Sequence, residues 1–91
     1  MIWSNDGDVE SGRLDRLADA FELHGKRGPL SIALGDVSGA AIRRDRGSRL
    51  RGLPVLALRL RAGALVSIAS LEGVGALHEL VEWIERGGVA T

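Results

Sequence analysis

The chain has 91 residues, no cysteine, 26% charged, 45% hydrophobic and 3% aromatic residues. These figures exclude disulfide-stapled and collagen-like designs and leave room for one small domain, not two. Twelve Lys and Arg balance twelve Asp and Glu, so no global field directs the chain to nucleic acid or to a membrane. A chain this short buries only about 60% of its unfolded surface, and homo-oligomerisation is a reasonable way to add burial.

Met1 to Glu10 carries Asp6, Asp8 and Glu10 where a signal peptide has a basic region and an apolar run. The longest apolar stretch, Leu53 to Leu58, stops at Arg59, far short of the roughly 18–20 residues that span a bilayer. A cytoplasmic location is expected, and the absence of cysteine agrees with it. Residues 1–12 are read as an N-terminal segment or first strand, 13–86 as the domain and 87–91 as a tail.

Charge divides the chain into blocks. Residues 1–24 hold six acids and two bases (−4), residues 25–61 nine bases and two acids (+7), and residues 62–91 four acids and one base (−3). Residues 11–24 admit two readings. Leu14, Leu17, Ala18 and Phe21 have helical spacing, with Ser11 as a cap and Gly25 as a stop. Alternatively, Gly12 to Leu17 and Phe21 to His24 form two strands joined by a turn at Ala18-Asp19. Pro29 to Leu34 alternates and stops at Gly35-Asp36, and Val37 to Arg44 is a further short strand.

The clearest local signal lies between Pro54 and Ser70. Leu56, Leu58 and Leu60 alternate with Ala57, Arg59 and Arg61, and Leu65, Val66 and Ile68 follow a turn at Ala62-Gly63, which predicts a β-hairpin whose leucines, Val66 and Ile68 are core. Glycine turns every eight to twelve residues suggest a small antiparallel sheet or barrel. The period then changes. Leu77, Leu80, Val81 and Ile84 fall at helical spacing with Glu79, Glu82 and Glu85 between them, predicting an amphipathic helix. Ser70 or Gly73 starts it and Gly87-Gly88 stops it. Trp83 flanks the apolar stripe, its indole N–H near solvent.

Taken in order, Phe-Glu-Leu-His-Gly (21–25), Leu-Ser-Ile-Ala-Leu-Gly-Asp-Val-Ser-Gly-Ala (30–40), the Arg-rich stretch into the Gly63 hairpin, and the closing helix resemble bacterial pleckstrin-homology-like (PH-like) domains. In such domains a strand ending in a Leu-x-Asp-Val/Ile turn precedes a basic strand, a Gly-centred hairpin and one C-terminal helix. Here the turn is Leu34-Gly35-Asp36-Val37, and the likeness covers about Gly12 to Arg86. Arg-Gly-Leu-Pro-Val-Leu (51–56) has the character of high-GC actinobacterial proteins. The resemblance implies an α+β, mainly β fold, an antiparallel barrel of about six or seven strands plugged by the helix, and it favours strands over a helix for residues 11–24. It also implies a binding module for lipid head groups, peptides or copies of itself. The lipid-binding subset has a basic motif after its first strand. The corresponding stretch, Leu17 to Ala20, holds Asp19 and no base.

Arg43, Arg44, Arg46, Arg49 and Arg51, interrupted by Asp45, are the candidate ligand residues, because guanidiniums around Gly47-Ser48 can hold phosphate or carboxylate oxygens bidentately. The plainer reading is a loop solvated by its own charge. Nucleic acid is disfavoured, since stacking needs aromatics and only Trp3, Phe21 and Trp83 are present. His24 and His78 lack partners that would suggest a triad. His78 and Glu82 make a helix-surface pair rather than a metal site, and no glycine pattern matches a phosphate-binding fingerprint. Neither catalysis nor a cofactor is expected. Ala57, Arg59, Ser67 and Ala69, with Ala62 and Ala64, give the hairpin a small-residue face suited to pairing with another copy or a peptide strand. Two functions follow as expectations: an interaction domain for itself or a protein partner, or an anionic-ligand module using the Arg43 to Arg51 loop, on lipid or nucleic acid.

Overall fold

A computed structural model describes residues 1–5 and 8–86, and of Ser48 the backbone only. The predicted Gly87-Gly88 helix stop and the tail lie outside these residues. The strands are β1 (Ile2–Asn5), β2 (Asp8–Ser11), β3 (Arg13–Arg16), β4 (Ala20–Gly25), β5 (Gly28–Ala33), β6 (Val37–Arg43), β7 (Val55–Leu60) and β8 (Leu65–Ala69), followed by one helix, α1 (Val74–Glu85). Residues 11–24 are therefore strands and not a helix. The domain is α+β and mainly β, with two antiparallel sheets. One has five strands in the order β2-β1-β8-β7-β6, and the other has three in the order β3-β4-β5.

β2 and β3 are separated by Gly12 alone, so residues 8–16 run as one bent strand. Its first half pairs with β1 and its second half with β4, and a strand that changes sheets makes the corner between two packed layers. Only glycine fits at that corner. A Cβ on Gly12 would overlap the His24 carbonyl oxygen and approach the Trp3 ring at 3.1 Å. The Met1 ammonium donates to the Gly12 carbonyl at 2.8 Å, and the Gly12 N–H returns to the Met1 carbonyl at 2.9 Å.

The expected closed barrel is corrected by the sheet order. β5 and β6 are the free edges of separate sheets, joined by the 3-10 turn Leu34–Asp36 rather than by a ladder. The turn is held from outside both sheets: the Arg61 N–H donates to the Asp36 carbonyl and the Leu34 N–H to the Asp19 carbonyl. Pro29 in β5 has no N–H to donate to a neighbouring strand.

The core lies between the sheets. Trp3, Phe21, Leu23, Ile32, Leu56, Leu58, Val66 and Ile68 meet Leu77, Leu80 and Trp83 of α1 there. Trp83 is 2% exposed, its ring 6.3 Å from that of Phe21 and edge-on to it, with the Arg16 guanidinium over its face. It is a core residue, deeper than the rim position expected. Leu60 is half-buried against the core, whereas Leu65, expected inside, is 57% exposed. Strict alternation explains this: Val66 and Ile68 face inward, so Leu65, Ser67 and Ala69 share the opposite face.

Candidate interaction site

The two sheets present different outer faces. On the smaller sheet, cross-strand neighbours Arg13 with His24 and Asp15 with Glu22 form a polar cluster that satisfies itself. His24 Nε2 lies 3.3 Å from Glu22 Oε1 and 3.4 Å from Asp15 Oδ2, and Arg13 Nε is 3.1 Å from the same Asp15 oxygen. Sequence spacing alone did not bring these groups together. Among the described residues no group of three or more His, Cys, Asp or Glu is placed to hold a metal ion, and no helix is long and apolar enough to cross a membrane.

On the five-stranded sheet the register lays the outward residues in rows. Ile2, Ala69, Val55 and Arg43 form one row, Ser4, Ser67, Ala57 and Ala41 the next, and Leu65, Arg59 and Gly39 the third. The first row is partly roofed by the segment between β6 and β7. Asp45 leads into a 3-10 turn at Arg46–Ser48. Leu50 and Leu53 then bond to each other through both backbone pairs, at 3.1 and 2.8 Å, closing a two-residue hairpin turn. Both turn residues have positive φ, 50° at Arg51 and 80° at Gly52, the signature of a type I′ turn, which favours Asn-Gly. Leu50 and Leu53 pack down on Ile2, Val55 and Ala69, a second apolar cluster outside the main core.

Beyond this roof the sheet is open, forming a trough of about 620 Å³. Its floor is the middle row of small side chains. Val55, Leu50, Arg43 and Arg49 stand on one side, and Leu65 and Arg59 on the other. Rows two residues apart along antiparallel strands are about 7 Å apart, so the trough is about 14 Å between walls and about 14 Å long across the strands from β1 to β6.

The candidate residues from the sequence fall into three groups. Arg43, Arg49, Ala57, Arg59 and Ser67 converge on the trough. Arg44, Arg46 and Arg51 are exposed on the loop and do not line it; Arg51 faces a smaller recess beside Val9, Glu10 and Arg27. Ala69 is fully buried under Leu50 and Leu53, so its part is packing.

The cations of the trough are held differently. Arg49 donates from Nε to the Arg44 carbonyl at 3.1 Å and from Nη1 to the Gly52 carbonyl at 2.7 Å. Its guanidinium is thus fixed by neutral backbone groups. Arg43 Nε is 3.2 Å from Asp45 Oδ1, an exposed pair, which adds little stability. Among the described residues no acid lines the trough. Sequence reasoning missed the two walls that Leu50 and Leu65 supply. Comparison with family models, curated proteins and solved structures finds no match for this chain.

Proposed function

We propose that the chain is a non-enzymatic interaction domain that assembles with itself or docks a protein partner on the outer face of its five-stranded sheet. The observation that carries the reading is that the trough combines a small-residue floor with arginines on both walls and, among the described residues, no acid. A face of this kind is concave, partly apolar and rich in Arg, the combination common at the centre of protein interfaces. The succession of two meanders and a final helix, with the Leu34-Gly35-Asp36-Val37 turn at the passage between sheets, supports kinship with bacterial PH-like domains. A cytoplasmic setting suits that reading.

Light scattering over a concentration series, with wild type beside Ala57→Lys, tests it. Self-assembly through the trough gives a mass that rises with concentration in the wild type and stays monomeric in the variant. Equal masses for an associating wild type and variant would sink this surface as the self-contact.

A second reading, an anionic-ligand module on lipid or nucleic acid, is favoured by one observation: Arg44, Arg46 and Arg51 have no acid partner among the described residues. Co-sedimentation with neutral and anionic liposomes across a salt series, with Arg43/Arg44/Arg46→Ser beside the wild type, separates the two. Binding that needs anionic lipid and vanishes in the variant moves the function to the loop.

A further inference from the structure

We infer that the occupant of the trough is a short, extended, acidic segment of a partner protein, whose carboxylates meet Arg43, Arg49 and Arg59 while its backbone lies over Ala41, Ala57 and Ser67. This rests on the reading of the trough as an interaction surface and names the chemistry that fills it. Charge is the first argument. Guanidiniums stand on both walls, Arg43 also pairing with Asp45 at its rim, and among the described residues no carboxylate lines the space, so an occupant with carboxylates is complementary to the cations of either wall. The second argument is fixation. Arg49 is anchored by two backbone carbonyls, so its orientation is set before anything binds and little side-chain entropy is lost on contact.

Dimensions supply the third argument. A trough about 14 Å long takes four or five residues of extended chain at about 3.3–3.6 Å each. The floor of Ser and Ala side chains lets a backbone approach closely, as a floor of large side chains would not. Alternate residues of such a chain point to opposite walls, so acids spaced to reach both sides match the arginines in turn. Nucleic acid fits poorly, because Trp3, Phe21 and Trp83 are all buried in the core and no aromatic is left to stack a base. A bilayer surface fits poorly too, because the cations flank a concavity rather than crown a protrusion.

The test uses the whole chain and a peptide labelled with fluorescein at its N-terminus, Glu-Glu-Ala-Glu-Glu-amide, whose neighbouring acids point to opposite walls, with its counterpart carrying Gln for every Glu as control, read by anisotropy. The Glu peptide saturates and the Gln peptide does not. Binding weakens about tenfold between 0.01 and 0.15 M salt, as the screening length falls from about 30 to about 8 Å. Arg59→Ser and Arg43→Ser each weaken it about tenfold. Ala41→Phe, a change at an exposed edge position, abolishes it by filling the floor. Circular dichroism of each variant confirms that the fold is kept. Equal binding of the two peptides, or binding indifferent to both Arg substitutions, overturns the inference. So does a wild type that ignores the Glu peptide at low salt, whether or not it sediments with anionic vesicles. If the peptide fails while light scattering still finds association that Ala57→Lys removes, the interaction domain stands and only its acidic partner falls.

Discussion

The tightest point of the fold is the corner at Gly12, and Gly12→Ala should be among the costliest changes of a single methyl group. The added Cβ would coincide with the His24 carbonyl oxygen, with the carbonyl carbon at 2.9 Å and the Trp3 ring at 3.1 Å. None of these groups can give way freely. His24 is inside β4 with Arg13 on one side and Pro29 on the other, and Trp3 is 1% exposed. The bent strand must therefore move outward, stretching the reciprocal bonds between Met1 and Gly12. Overpacking costs about 1–3 kcal/mol and each weakened hydrogen bond about 0.5–1.5 kcal/mol. Reduced freedom of the unfolded chain returns about 0.4–1 kcal/mol. The net is a loss of about 2–3 kcal/mol, or roughly 10–20 °C in Tm for a domain of this size. Urea titration followed by the fluorescence of Trp3 and Trp83 reads it, with Gly35→Ala as control, since a Cβ there meets nothing within 4 Å. A Gly12→Ala midpoint equal to that of the wild type would refute the account of the corner.

Arg51→Asn should stabilise the chain by about 0.5–1 kcal/mol, because Asn tolerates the left-handed conformation that Arg51 holds at φ 50°; thermal melts that show no gain would argue against a type I′ turn. Leu58→Ala should cost about 2–5 kcal/mol, whereas Leu65→Ala, at an exposed position of the paired strand, should stay within about 0.5 kcal/mol. Comparable losses for the two in the same urea titration would contradict the register of β7 and β8.

The parts of the fold legible in the sequence are those whose signal is local. Leu56, Leu58 and Leu60 alternate with Ala57, Arg59 and Arg61, and Leu77, Leu80 and Ile84 recur at helical spacing; hairpin and helix both follow. Leu65 shows how the same signal misleads when every apolar residue is counted as core, for the period of two places it outside once Val66 and Ile68 are inside. Residues 14, 17, 18 and 21 mimic a helix by coincidence, and tertiary partners decide the matter: β4 is paired on both sides, which no property of residues 11–24 alone could announce. Barrel closure depends on whether β5 and β6 find each other across the Leu34–Asp36 turn, a question of geometry rather than composition. At the candidate site, the arginines stood out but their grouping did not. Arg43 and Arg59 face one trough from opposite walls only through the pairing of β6 with β7, and Ala69 is covered only because Leu50-Arg51-Gly52-Leu53 turns back on the sheet. The X-Gly pair between two leucines was the available signal for that turn.

The pairing of β1 has a consequence for the order in which the chain acquires its structure. Residues 13–33 and 37–69 can each form a meander from neighbours in sequence, but Ile2 must find Ala69, across nearly the whole chain. Contacts of such separation form late, because their loop closure must be offset by structure already in place. β1, an inner strand between β2 and β8, is thus seated late. Until it is seated, β8 offers an open edge with Val66 and Ile68 beside it, and Trp3 lacks its place in the core. Any condition that delays docking of the first five residues lengthens the time in which that edge can pair with the wrong chain.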